Sequence, residues 1–583
     1  MGTGLPKKQR LRVTPEIGPR RHGCLEGRST SSGVYVMSAT VGPAYEWKAV
    51  PWRKLERAVF KLQQRIYQAS QRGNVKAVHR LQRLLMHSWS GKCLAVRQVT
   101  QDHQGKKTAG VDGVASLTPP QRLQLVHECS LHRRAQPVRR MWIPKPHASD
   151  KRPLGIPTLH DRAAQALVKL ALEPEWGARF EPNSYGFRPG RSAHDAIQAI
   201  YTDVAAKDRY CLDADIRKCF DRINHAALLT KLGTSATVRR TIKGWLKAGV
   251  MDGPTLFPTE AGTPQGGVIS PLLANIALHG METAVTGRFP KVHVKVVRYA
   301  DDFVILSHDR STVEQARGAV AAWLTAVGLE LHPEKTRLVH TCLTADGHRP
   351  GFDFLGFTVR SFPTTQRRRK KGTKVLIKPS QVSQQDHYRA IARVVEKHQG
   401  SKQAALIADL NPVIRGWSQY YSTQVSKECY TRLDWLMAWK LTRWARHRHP
   451  GKPSTWRKHR YWKGKPLRFA TSEGGITLRM HSETPIRRHI KVRGGRSPFD
   501  GDWLYWSARL GRHPEVAPQV ARLLRRQQGR CAWCGLYFKT EDVIENDHIV
   551  PRKQGGLNGD ANRQLLHRHC HDIKGAVDNR PGN

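Results

Sequence analysis

Four aspartates, Asp213, Asp215, Asp301 and Asp302, stand where this chain can do phosphoryl chemistry. Nucleotidyl transfer needs two divalent cations about 4 Å apart, so carboxylates must converge from separate strands. Tyr210-Cys-Leu-Asp213-Ala-Asp215-Ile is a β-like run ending in acids, and Tyr299-Ala-Asp301-Asp302 stands between the apolar runs Val294–Val297 and Phe303–Leu306. The second pattern reads as a hairpin with adjacent acids in its turn. Asp213 rivals Asp215, because residues two apart in a strand face the same side. Near the end of the chain, Cys531-Ala-Trp-Cys534 is answered by His567-Arg-His-Cys570, a spacing suited to tetrahedral zinc. His569 is an alternative ligand, but the two-residue gap between His567 and Cys570 matches the first knuckle.

Helices and strands must carry these groups. Leu55, Val59, Leu62 and Ile66, then Val75, Val78, Leu81 and Leu85, recur at helical spacing and predict two helices with basic outer faces. From Met141 to Val359, β-rich runs (Tyr210–Ile216, Val292–Leu306) mix with helical stretches (Arg162–Leu172, Thr312–Val327), the pattern of an α+β domain. Arg367-Arg-Arg-Lys-Lys371 marks a basic loop. Residues 361–500 hold 31 Lys and Arg against 8 Asp and Glu, with Trp417, Trp435, Trp439, Trp444, Trp456 and Trp462 among them. Basic charge interleaved with aromatics can bind phosphates and stack bases. Trp435 and Trp439, at i and i+4, are expected in a helix core.

The formal charge is +52, far more than solubility requires, so a densely negative partner is implied and nucleic acid fits best. Such a balance also suits ribosomal or chromatin packing. No apolar run is long enough to span a membrane and no signal-peptide pattern opens the chain. A soluble intracellular protein is expected. Lys7-Lys-Gln-Arg10 and Arg20-Arg21 have the colour of an organellar transit peptide, but Glu16 and the lack of amphipathic period argue against it. Of ten cysteines, seven are scattered and three cluster at the end, which is a metal site and not a disulfide framework.

Tyr299-Ala-Asp-Asp302, Gly262-Thr-Pro-Gln265-Gly-Gly-Val-Ile-Ser-Pro271, and Asp215 with Phe220 five residues on resemble the palm motifs of reverse transcriptases in order and spacing. Met141-Trp-Ile-Pro-Lys145-Pro, Lys151-Arg152-Pro-Leu-Gly-Ile-Pro157 and Asn183-Ser-Tyr-Gly-Phe-Arg-Pro-Gly-Arg191 resemble the fingers of the group II intron enzymes. Gly328-Leu-Glu-Leu-His-Pro-Glu-Lys335 and Phe352-Asp-Phe-Leu-Gly-Phe357 resemble later palm motifs. The resemblance implies that Asp215, Asp301 and Asp302 hold Mg²⁺, the Phe220 spacing favouring Asp215 over Asp213. It implies that Phe220 excludes a 2′-hydroxyl, that Lys145 and Arg152 neutralise the triphosphate, that Gln265 offers a polar edge to the substrate, and that Lys335 protonates pyrophosphate.

Glu545-Asn-Asp547-His548-Ile-Val-Pro551 with Asn562 and His571, set among the knuckles, resembles the HNH nucleases and their ββα-metal fold. That likeness assigns Asp547 and His571 to a catalytic divalent ion, His548 to the general base and Asn562 to its orientation. Zn²⁺ on Cys531, Cys534, His567 and Cys570 would supply folding energy to a domain of about 80 residues. Leu410-Asn-Pro-Val-Ile-Arg-Gly-Trp417 and Leu433-Asp-Trp-Leu-Met-Ala-Trp439 resemble domain X of maturases.

The whole is thus similar to a group II intron-encoded protein. Its expected fold is multidomain α+β: a flexible basic leader (1–45), polymerase fingers and palm (46–360), an α-helical thumb (361–450), a basic DNA-binding segment (451–505) and a zinc-stabilised HNH domain (506–583). The implied partners are the host intron RNA, a DNA target and dNTPs, with no membrane, and monomer and dimer both remain open. The implied setting is the bacterial cytoplasm and nucleoid. A stand-alone reverse transcriptase of defence or repair, and a splicing factor with an inactive polymerase, are the alternatives.

Overall fold

The computed structural model describes residues 46–102, 104–144, 151–364, 372–464, 467–471, 475–539 and 542–578. Lys145, the leader 1–45 and the basic run Arg367–Lys371 lie outside the described residues. Both expected N-terminal helices form, at Trp52–Gln71 and Val75–His87, and with Trp89–Arg97 they pack on the long helix Leu159–Arg179. Leu55, Val59, Ile66, Leu81 and Leu85 are buried on that inner face, as their period requires. Asn74 and Ser88 cap the second and third helices by accepting from Ala77 N and Gly91 N.

The chemistry sits on a four-stranded antiparallel sheet in the spatial order Lys295–Tyr299, Asp302–Ser307, Tyr210–Asp215, Arg337–His340. Its strands are apolar on both faces: Leu212, Val296, Phe303 and Ile305 join one core and Cys211, Val297, Val304, Leu306 and Val339 another. Helices Ala193–Ala206 and Arg310–Ala326 pack against it. A second sheet of four strands joins the hairpin Val138–Pro144/Lys151–Ile156 to Val250–Asp252 and Thr255–Phe257. A third sheet, Phe352–Phe354, Phe357–Pro363 and Thr373–Pro379, leads into helices Gln381–Lys397, Gln403–Tyr421 and Lys427–Arg448. Ile391, Leu406, Leu410, Ile414, Met437, Leu441 and Trp444 form the core of this triplet.

Trp435 and Trp439 do not join that core, contrary to expectation. The inward stripe of Lys427–Arg448 is Tyr430, Leu433, Met437, Leu441 and Trp444, which turns Trp435 and Trp439 outward at 60 % and 55 % exposure. The basic segment after the triplet is folded onto its neighbours. Tyr461, Phe469 and Leu478 enter the triplet core, while Val492 and Trp506 enter the core under the central sheet. Asp195, wholly buried, fastens this strap by accepting from His489, Val492 N and Arg509.

Helices Trp503–Arg512 and Pro518–Arg526 precede a small ββα unit, strands Ile544–His548 and Arg563–His567 followed by helix Arg568–Asp578. This unit docks on the N-terminal helices. Phe60 meets Trp503, whose indole stacks on Tyr537, and His569 Nε2 lies 3.6 Å from Glu56, itself paired with Arg97 at 2.7 Å. Among the described residues no helix is long and apolar enough to cross a membrane.

Candidate functional site

Strand register sets Asp215 opposite Asp302, at the end where the hairpin turns. Ala300 takes a left-handed φ of 58° to close that turn, and Ile216 N donates to Asp301 O. Asp213 pairs one pleat deeper, across from Val304. Asp213, Asp215 and Asp302 line an open cleft of about 370 Å³ with Glu334, Lys335 and Arg337. Lys335 donates to Asp215 at 2.6 Å and Arg337 to Asp213 at 3.0 Å, so a cation already answers each acid of the central strand.

At the exposed strand end, partial loss of hydration against the packed hairpin, together with the charges of Asp301, Asp215 and Asp213, pushes the Asp302 carboxyl up to about 7. Desolvation also raises Asp301, against the opposite pull of Arg152 and Lys335. Carboxylates crowded until one keeps its proton near neutrality are a donor set that divalent cations relieve. These residues fit a divalent-cation site.

Several supports escaped the sequence reading. Arg298, buried just before the hairpin, donates to Ser184 Oγ, Asn275 Oδ1 and Ala300 O, while Asn275 donates to Gly186 O. That network ties Asn183–Arg191 to the turn at Ala300, and Gly186 lies so close to Ala300 that a Cβ has no room. A charged residue inside an apolar strand was the available signal. Gln165 likewise holds the Pro-Gln-Gly-Gly loop by accepting from Val268 N at 2.9 Å.

Gly262 has φ +84° and rests on the backbone of Phe220 and Asp221, where a Cβ would meet Phe220 O at 2.6 Å. Thr263 N donates to the same carbonyl. This positions Phe220, half-buried in the short helix Cys219–Arg222, with Phe187 edge-on at 6.1 Å. Phe187, too, was not singled out from the sequence. Gln265 is half-buried, and its carbonyl accepts from Gly155 N at 2.6 Å. Gly266 makes its close approach to Gly155 O. Arg152 is exposed on the strand Lys151–Ile156.

In the ββα unit the ligating atoms of Cys531, Cys534, His567 and Cys570 all lie within 4.8 Å of one another, a set that can hold a metal ion. His567 presents Nδ1 to Cys534 Sγ at 3.4 Å, and its Nε2 lies 3.3 Å from Asp542, a carboxylate fixing the ring. His569 is outside the cluster, facing Glu56 and the Trp52 ring.

Asp547 and His571 meet across 3.7 Å. Gln564 and Lys574 also hold Asp547. Asn562 does not touch the His548 ring. Its amide accepts from Val550 N and donates to Val550 O and Leu557 O, closing the loop after His548, whereas Asn558 Oδ1 stands 3.0 Å from His548 Nε2. The shorter offset along the loop brings Asn558 to the imidazole.

Four family models match the chain: N-terminal domain of reverse transcriptase over residues 47–129, reverse transcriptase (RNA-dependent DNA polymerase) over 143–359, group II intron maturase-specific domain over 384–462, and HNH endonuclease over 531–576. The chain is 33 % identical to protein YkfC of Escherichia coli K12 over 331 residues, 48 % of this chain and 82 % of that protein. It is 41 % identical over 153 residues to the group II intron-encoded protein LtrA of Lactococcus lactis subsp. cremoris, about a quarter of each. Maturase-like protein 1 of Euglena gracilis is 27 % identical over 64 % of this chain and 76 % of its own length.

Proposed function

This chain belongs to the group II intron-encoded proteins and carries their reverse transcriptase, maturase and HNH endonuclease domains, and from that premise we propose how its own residues divide the work. Asp215, Asp301 and Asp302 form the polymerase centre, and the observation that carries this reading is the pairing of Asp215 with Asp302 across the sheet. Magnesium held there would lower the pKa of a primer 3′-hydroxyl and offset charge on the attacked phosphate. Arg152, with Lys145, draws the triphosphate of a dNTP toward the acids. Lys335 holds Asp215 until substrate arrives and then donates its proton to the departing pyrophosphate. Phe220 closes the floor beneath the sugar and turns away a 2′-hydroxyl, with Gln265 offering a polar edge beside it.

The maturase domain binds the intron RNA in which the chain is encoded, stabilises its active fold and stays with it as a ribonucleoprotein. The basic strap adds phosphate contacts on the DNA side. His548 acts as general base on the second DNA strand: Asn558 accepts from Nε2–H, which leaves the Nδ1 lone pair to take a proton from water. Asp547 and His571 would hold the divalent ion, and Cys531, Cys534, His567 and Cys570 a structural zinc. The nicked strand then supplies the primer for copying the intron, inside a bacterial cell. A stand-alone polymerase has no use for the maturase-specific and nuclease regions, which is why the intron reading is preferred.

The test is primer extension on an RNA template by Asp301→Ala/Asp302→Ala protein, with intron splicing measured alongside. Lost DNA synthesis with splicing retained supports the assignment; synthesis at the parental rate would remove it.

A further inference from the structure

The outer face of helix Lys427–Arg448 has no role in the packing of the fold. Trp435 and Trp439 are 60 % and 55 % exposed on it, with ring centroids 5.7 Å apart and planes crossed at 70°. Between and beyond them stand exposed Ala438, Thr442, Arg443 and Arg446, with exposed Arg432 one turn before. The helix has two acids, and only Glu428, one turn before Arg432, draws on this charge. Asp434 is buried against His481, and Glu428 is paired with Lys378. Two bare indoles followed by Arg443 and Arg446, with no acid of the helix beyond Asp434, match a ligand that has both flat aromatic rings and phosphates.

We propose that this face is a stacking platform for unpaired bases of an RNA strand. The 70° between the ring planes selects among nucleic acids. Consecutive bases of a duplex lie parallel and are already stacked on each other, so they leave no face free for either indole. A loop or bulge splays its bases apart and presents them at different angles, one to each tryptophan. Small Ala438 and Thr442 leave room for the rings, and Arg443 and Arg446 lie one and two turns on, where the backbone of that strand must pass. The inference rests on the reading of this domain as RNA-binding and deepens it, by naming the contact and the form of RNA it takes.

The experiment compares full-length protein with the Trp435→Ala/Trp439→Ala double variant in binding to two labelled RNAs. One is a hairpin with a single-stranded loop; the other has the same stem fully paired. The double variant should lose about 10-fold or more in affinity for the hairpin and stay within about twofold on the duplex. Trp435→Phe/Trp439→Phe should recover most of the loss, because a phenyl ring still stacks. Arg443→Gln/Arg446→Gln should flatten the salt dependence on the hairpin by about 1.4 in log–log slope, roughly 0.7 for each phosphate contact.

Equal losses on both RNAs, or none on the hairpin, overturn the proposal. So does a self-associating parental protein that the double variant makes monomeric with RNA affinity unchanged, which assigns the face to a second copy. Failure of the parental protein to bind either RNA would instead sink the RNA-binding reading on which the proposal stands.

Discussion

Asp302 is the residue on which electrostatics bears most. Its carboxyl is held near 7 by desolvation and by neighbouring acids, well above the ordinary carboxylate value. A group raised in the fold stabilises below its unfolded pKa, and that contribution fades as pH climbs through the folded one. In metal-free buffer, parental protein should therefore lose thermal stability relative to Asp302→Asn between about pH 4 and pH 8. Added Mg²⁺ at pH 8 should restore the parental protein and leave the variant unmoved; a gap independent of pH would contradict this account. Sugar discrimination is the second matter settled by a single side chain. Phe220→Val should raise ribonucleotide use by about 10-fold or more relative to dNTPs. Phe187→Ala, which removes only the ring edge set against Phe220, should do so by less, as read from kcat/KM for paired nucleotides.

Turns and short helices hold these side chains in place, and Gly262 shows how. Its φ of +84° and its contact with the Phe220 carbonyl both forbid a side chain, whereas Gly253, at φ +60°, has open space around it. Gly253→Ala should cost only the left-handed backbone penalty, about 1 kcal/mol, while Gly262→Ala should cost more and also depress polymerisation. Equal melting curves and equal extension rates for the two would show that the close approach carries no weight. The hairpin was legible because two short apolar runs on either side of a tight turn have a local signature. Helix Lys427–Arg448 was not, because a tryptophan pair at i and i+4 marks a face without saying which face is inward. That decision fell to Met437, Leu441 and Trp444, which fill the core from the other side.

The nuclease unit and the N-terminal helices share a buried ionic joint. Burial works to raise the Glu56 carboxyl, but Arg97, Lys539 and His569 together outweigh it and hold the group below its usual value. Arg97→Ala would strand Glu56 in that joint and should destabilise the docked form by about 3–5 kcal/mol. Hydrogen exchange should then quicken at both Trp52–Gln71 and Arg568–Asp578; quickening confined to one partner would argue against a shared joint. Treatment with a zinc-selective chelator, followed by excess Mg²⁺, should abolish DNA nicking and unfold residues 531–576, leaving primer extension intact. Retained nicking after chelation would deny that cluster a folding role.

The linear sequence by itself determined the chemistry of this protein and the order of its parts. Metal-binding acids, Cys and His knuckles, turn glycines and charge are local quantities, legible from residue type and spacing. The three-dimensional fold alone decided which groups meet: Asp215 opposite Asp302 in register, Arg298 with Asn275 and Ser184, and Asn558 in place of Asn562 beside His548. These contacts follow from strand register and from which helix face is buried. Both are fixed by the competition of many distant apolar side chains for one interior, and no short window of residues contains that competition.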